Sequence, residues 1–295
     1  MPTVLQRAPV VVLFLDESQR LNPSDQGSLK TFEKVCSDIG KEYIERPLKA
    51  YMRCRGGQEY HDWVENLLQT PQDIEQLSLA NQLWIGRYPI GICSTVRGML
   101  YWLKRIHEQE DPDAQVALVA SFTESPGYRD DIKNDLNIRV GYPLSSEWEY
   151  YRSSGLCIRW LMKDWDYVKF WKNKGRDAEI GSNRLDKVAS IYGAQGLECD
   201  YVGIFWGRDL VFRDGEWRLG EARFCYDTID ELVFPRRAQP EARRWSKDAL
   251  TLVKNRYRIF LTRGIKGVLV FCEDEETRAH LLNLRSGINP FVKEK

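Results

Sequence analysis

No Gly-x-x-x-x-Gly-Lys-Ser/Thr occurs in the 295 residues. The only Gly-Lys pair, Gly40-Lys41, has Val35 where the first glycine of that loop belongs and Glu42 where its hydroxyl belongs, so the backbone cradle for a triphosphate is missing. An excess of one charge is missing too. Lysine plus arginine (43) equals aspartate plus glutamate (43), which removes any whole-surface attraction for nucleic acid and leaves a local groove as the only route to such binding. The seven cysteines form an odd set with no Cys-x-x-Cys spacing, which argues against a disulfide framework and a zinc site and predicts reduced intracellular thiols. His61, His107 and His280 stand far apart in no metal-ligand spacing, so surface or packing roles are expected. Neither Ser18 nor the cysteines show a triad-type context. No stretch approaches the roughly 20 apolar residues of a membrane span, and Met1 to Pro9 lacks a signal-peptide pattern. The expected location is therefore cytoplasmic, and no internal repeat or low-complexity tract alters the reading.

An apolar fraction of 43% suits a soluble globular chain with one large core or two smaller ones. Val10 to Leu15 is a continuous aliphatic run ending in Asp16-Glu17, which predicts a buried parallel strand with acids at its carboxyl end. After a turn at Asn22-Pro23-Ser24-Asp25, a helix is predicted over Ser28 to Ile39, stopped by Gly40. Tyr43 to Met52 predicts a strand. The apolar face Tyr60, Trp63, Val64, Leu67 and Leu68 predicts a helix. Further strands are expected at Gln82 to Ile85 or Ile90 to Ser94, Gln115 to Ser121, Lys187 to Ile191, Tyr201 to Gly207 and Val268 to Cys272. Helices are expected at Thr95 to Glu108, Ser246 to Tyr257 and from the acidic start Glu273 to Glu276. Leu210 to Leu219, centred on Asp214-Gly215, predicts a β-hairpin. Alternating strands and helices imply an α/β fold, a mostly parallel sheet covered on both faces.

Two segments carry chemistry. Tyr192-Gly193-Ala194-Gln195-Gly196-Leu197-Glu198-Cys199-Asp200-Tyr201-Val202-Gly203 is a glycine loop in which the backbone can turn beside a ligand, with Glu198 offering a carboxylate to a sugar hydroxyl. Leu261-Thr262-Arg263-Gly264 brings a guanidinium suited to a developing phosphate charge. A third region, Ser121 to Ser182, has no clear period and reads as an irregular insertion. Its Trp160, Lys163, Trp165, Lys169, Trp171 and Lys172 could stack bases beside a phosphate track, or serve as core.

Together these residues resemble superfamily 1 helicases of the UvrD/Rep type, and more closely the Schlafen group 3-like DNA/RNA helicase family. The resemblance covers nearly the whole chain and includes Gly207-Arg208-Asp209-Leu210-Val211 and Lys254-Asn255-Arg256-Tyr257 leading to Leu261-Thr262-Arg263-Gly264-Ile265-Lys266-Gly267. It implies a RecA-like, P-loop NTPase-type sheet, mainly the second RecA-like domain of a helicase. The glycine loop becomes motif V, with Glu198 on the nucleotide ribose and Gln195 and Gly196 in the nucleotide-facing loop. Arg263 becomes the motif VI arginine reaching the γ-phosphate, and Arg53 in Met52-Arg53-Cys54-Arg55-Gly56-Gly57 the motif IV arginine. Tyr51 stands where the family usually has glutamine and Tyr192 where it often has histidine, which weakens contacts to phosphate or nucleic acid.

Asp16-Glu17-Ser18-Gln19 permits two readings under the resemblance. As Walker B, Asp16 would hold magnesium through water and Glu17 would orient the attacking water. As motif III, Gln19 would sense the γ-phosphate. The short separation between Asp16 and Arg53, and the following Asn22-Pro23-Ser24-Asp25-Gln26-Gly27, favour motif III. Residues 1–42 are then expected to be a remnant of the first RecA-like domain and 43–295 the second, with its insertion at about 121–182. Walker A and Walker B would lie upstream of Met1, so ATP and Mg2+ would bind only after completion by a separate amino-terminal polypeptide. The other expected partner is single-stranded DNA or RNA, contacted by Tyr192, Trp165 and Lys169. A non-catalytic remnant that binds nucleic acid or protein is the alternative, and a product with no function alone is a third.

Overall fold

Short runs of β-branched and aliphatic residues, each followed by a capped helix, pair in parallel to make the central sheet. The computed structural model describes residues 2–21, 27–47, 54–69, 73–121, 159–160, 185, 187–194, 198–220 and 240–285. Its strands are β1 (Ile90–Cys93), β2 (Val116–Ala120), β3 (Arg159–Trp160), β4 (Lys187–Ala189), β5 (Cys199–Trp206), β6 (Leu210–Arg213), β7 (Glu216–Leu219) and β8 (Gly264–Cys272). The helices are α1 (Pro2–Arg7), α2 (Leu29–Asp38), α3 (Gly57–Leu68), α4 (Ile74–Leu77), α5 (Val96–Arg105), α6 (Ile191–Ala194), α7 (Pro240–Leu261) and α8 (Glu275–Asn283). Six strands form one sheet in the order β1-β8-β5-β2-β4-β3, and every pairing in it is parallel. The expected α/β architecture, consistent with a RecA-like fold, is thus present: five strands form its body and the two-residue β3 its edge.

Alternation along the strands separates two cores, because successive side chains point to opposite faces. Val268, Val270 and Cys272 of β8 join Tyr60, Trp63 and Val64 of α3 and Leu252, Val253 and Phe260 of α7. Leu269 and Phe271 face the other way, against Met99, Leu100 and Leu103 of α5. Both faces are therefore covered. At the hairpin β6–β7 the two turn residues need positive φ, met by Asp214 at 52° and Gly215 at 81°, a conformation that suits the right-handed twist of the flanking strands.

Local helix signals are carried through. Ser28 and Thr95 cap α2 and α5 by accepting from Thr31 N and Gly98 N, and Gly40, with φ of 66°, follows α2. Thr95 to Glu108 divides into α5 and a π-helical turn, Ile106–Glu110. The helix expected over Ser246 to Tyr257 is longer at both ends, α7 running from Pro240 to Leu261. Lys187 to Ile191 is a shorter strand followed at once by α6.

The strand expectations nearest the start are not met. Val10 to Leu15 has no regular structure and is largely exposed, with Val10 at 78% and Phe14 at 85%. A strand exists only when its backbone groups find a neighbour, and no described strand of the sheet pairs with this one. Residues 43–47 are likewise not a strand, and 48–52 lie outside the described residues. Of the two alternatives near residue 85, Ile90–Cys93 forms the strand and 82–85 do not. The turn at residues 22–25 and most of the insertion also lie outside the described residues.

Candidate functional site

The amino ends of β5 and β8 carry two of the singled-out residues at adjacent strand starts. These neighbouring parallel strands pair with Cys199 opposite Gly264. Glu198 and Arg263 are the residues just before these paired strand starts. Their charges meet at the Cys199 thiol: burial pushes it well up, Asp200 and Glu198 add to that, and Arg263 opposes it. Glu198 is exposed, whereas Arg263 is only 2% exposed. The guanidinium thus sits inside the sheet edge and the carboxylate at its surface.

Local chemistry shapes this corner. α7 ends at Leu261, and Arg263 N closes the turn on Phe260 O at 3.2 Å. A side chain on Gly264 would drive its Cβ into the Gly267 carbonyl, so the chain needs glycine to re-enter the sheet there. The register then slips between Cys199 and Tyr201, an irregularity of the ladder that falls beside Lys266. Lys266 Nζ lies 2.6 Å from Asp111 Oδ2 and 3.1 Å from Asp200 Oδ1, while Gln115 N donates to the other Asp200 oxygen at 2.8 Å. This clasp joins the starts of β2, β5 and β8, and its hydrogen bonds to Asp111 and Asp200 hold the Lys266 ammonium above its ordinary range, against burial.

The segment after Arg53 reaches the same edge. Arg55 N donates to Ile265 O at 2.9 Å, and Arg55 acts electrostatically on Tyr201, whose phenol is raised chiefly by burial. Arg53 itself lies outside the described residues, as do Gln195, Gly196, Trp165 and Lys169; Tyr192 lies in α6, with its side chain not described.

Asp16, Glu17 and Gln19 form a capped 3-10 turn against α7. Asp16 accepts from Ser18 N at 3.0 Å, from the Ser18 hydroxyl, and from Gln19 Nε2 at 2.7 Å. Partial burial pushes its carboxyl up, but these donors and Arg258 outweigh it and leave it below its usual value. Glu17 accepts from Leu29 N at 3.2 Å. Asn255 Nδ2 donates to Arg20 O at 2.9 Å, and Arg258 Nε pairs with Glu65 Oε1 at 2.5 Å. Asn255 lies within the last two turns of α7 and Arg258 in its last turn acts on Asp16, so the Asp16–Gln19 segment packs beside that part of the helix.

Glu198, Arg263, Arg55 and Lys266 lie at the amino ends of the strands, whereas open α/β sheets more often use the carboxyl ends. The carboxyl end holds instead a closed polar group: Asp209, fully buried, accepts from the hydroxyls of Ser121 and Tyr257. Burial raises its carboxyl despite those donors and Arg256. His107 is a packed core histidine, 3.1 Å from Ala114 O through Nδ1, and His280 stacks on Phe212 at 3.7 Å. Both fit the packing role expected of them. Sequence reasoning missed the Lys266 clasp, although Asp200 and Lys266 both stand inside the two quoted segments. It also missed Tyr60 and Tyr88 beneath the Arg263 turn, for which no local signal exists.

Residues 1–274 match the family model described as Schlafen group 3, DNA/RNA helicase domain. Over 98 residues the chain is 28% identical to an uncharacterized protein of Saccharomyces cerevisiae, YPL245W, a stretch that covers 33% of this chain and 21% of that protein. The match thus spans about a fifth of the curated relative. No solved structure matches the chain.

Proposed function

The chain belongs to the Schlafen group 3, DNA/RNA helicase domain family, and from that membership we propose that it supplies the arginine-bearing side of a shared ATP site. In this reading Glu198 holds the nucleotide ribose, Arg263 and Arg53 meet the γ-phosphate, and Gln19 senses it. The Walker A cradle, the magnesium ligands and the attacking water's base come from outside these 295 residues. Hydrolysis then drives movement on single-stranded DNA or RNA. The observation that carries the reading is the register of Cys199 with Gly264, which sets a carboxylate and a guanidinium at adjacent strand starts. Two guanidiniums are chemically suited to the charge that develops on a transferring phosphoryl group.

Two further observations support it. Both Asp16 oxygens are occupied by Ser18 and Gln19, which suits a residue that shapes the turn presenting Gln19 better than one that gathers metal-bound water. The exposed run Val10 to Leu15 is apolar at every position, the pattern of a strand buried on both faces. Its complement is the interior of an α/β sheet, as the other half of a RecA-like domain would provide. The segment 1–42 then belongs with the first domain and 43–295 with the second.

The test combines the full chain with a polypeptide carrying Walker A and Walker B and measures nucleic-acid-stimulated phosphate release. Arg263→Ala is expected to lower turnover on the order of 10³-fold; wild-type turnover in that variant would remove the assignment. The burial of Arg263 favours a second reading, a non-catalytic module that binds nucleic acid or protein. Under it, labelled single strands bind the isolated chain in fluorescence anisotropy, more weakly as salt rises, and no partner restores phosphate release.

A further inference from the structure

Two buried phenols close the turn that carries Arg263. Tyr60 Oη donates to Leu261 O at 2.6 Å. Tyr88 Oη donates to Gly264 O at 2.8 Å and lies 3.5 Å from Leu261 O. Leu261 ends α7, where carbonyls run out of intrahelical donors. A buried carbonyl without a donor is costly, and both tyrosines are 0% exposed, so the phenols stand where solvent would otherwise serve. Burial pushes both hydroxyls well above the ordinary phenol range, which keeps them protonated and donating at any physiological pH.

The rings are held as firmly as the hydroxyls. Tyr60 and Tyr88 lie 4.3 Å apart, and Trp84 meets Tyr60 edge-on at 4.9 Å. Tyr60 occupies the first turn of α3, directly after the segment that contains Arg53 and Arg55. Tyr88 stands two residues before β1. The Arg55 N bond to Ile265 O is a second tie between the start of α3 and this turn.

We infer that Tyr60 and Tyr88 are positioning residues: they fix the Leu261–Gly264 turn, and with it Arg263, by tying it to the start of α3 and to the segment leading into β1. The catalytic meaning of that restraint rests on the proposed ATP role; the restraint on Arg263 does not.

The test uses the full chain with nitrogen-15 arginine and the variants Tyr60→Phe and Tyr88→Phe, each of which removes one oxygen. The Arg263 Nε–H signal is identified by its loss in Arg263→Lys. Each tyrosine variant is expected to speed its exchange with water about tenfold, the effect of one net buried hydrogen bond. Trp217→Phe is the control, because its indole makes an equally short buried bond to Leu67 O, 2.6 Å, and none to the turn. Unchanged exchange in the tyrosine variants, or equal acceleration in Trp217→Phe, overturns the inference; should one tyrosine variant not fold, the other decides. In the completed ATPase, each tyrosine variant is expected to lower kcat about tenfold at unchanged KM. Loss of activity in Arg263→Ala with full activity in both tyrosine variants defeats the inference alone. Full activity in Arg263→Ala defeats the ATP reading and leaves the exchange result standing.

Discussion

Asp274→Asn should cost the folded chain about 2 kcal/mol at neutral pH and much less in acid. Asp274 caps α8 by accepting from Thr277 N at 2.8 Å and from its hydroxyl at 2.6 Å. Its two oxygens also receive both terminal nitrogens of Arg213, at 2.8 and 2.6 Å. Burial pushes the carboxyl up, but Arg213 and Thr277 outweigh it and bring it from 3.8 to about 2. At about 1.4 kcal/mol per unit the charged form is favoured by roughly 2.4 kcal/mol. The 31% exposure of Arg213 trims this toward 2. The folded value lies below the unfolded one, so the stability is fully present above pH 3.8 and is lost as pH falls through about 2. Urea unfolding of wild type and Asp274→Asn at pH 7, 5 and 3 measures it directly. Asparagine still accepts from Thr277 N, so the difference isolates the charge and should shrink by about half at pH 3. Asp274→Ala should lose about 1 kcal/mol more through the cap. Equal stability of Asp274→Asn and wild type at pH 7, or a deficit that does not shrink in acid, would refute the reasoning.

Phe14→Asp should leave the stability of the chain within about 0.5 kcal/mol, since Phe14 is 85% exposed. It should also weaken association with a Walker A polypeptide at least about tenfold, because burying the phenyl ring is worth roughly 1.5–3 kcal/mol; light scattering of the mixture reports the complex. Among the described residues, the free cysteines Cys36, Cys54, Cys93, Cys199 and Cys272 are buried. Burial pushes Cys93 up to about 12 and raises Cys199 and Cys272 as well. Thiol reagents at pH 8 should therefore leave these three unmodified in the native chain and label them in urea, as read by peptide mass.

Features legible in the sequence were those written in a short window. Ser28, Thr95 and Asp274 each cap a helix whose start was predicted within a residue or two, because a side-chain oxygen bonds a backbone N–H only two or three residues away. Asp214-Gly215 gave its hairpin for the same local reason. The segments Tyr192 to Gly203 and Leu261 to Gly267 carried the family, later matched over residues 1–274. Val10 to Leu15 misled, since a run of valines reports a preference for being a strand and says nothing of whether a neighbour is there to pair with it.

By itself, then, the sequence determined the α/β class, the helix caps, the hairpin and the family, all of which depend on residue identity and near-neighbour chemistry. Tertiary structure alone decided that Glu198 and Arg263, 65 positions apart in the chain, stand at adjacent strand starts and that two phenols hold the arginine's turn. It also decided that five of the six apolar residues from Val10 to Leu15 stand exposed. Pairing, register and burial are set by which distant segments meet, and no local window of the sequence contains both sides of such a contact.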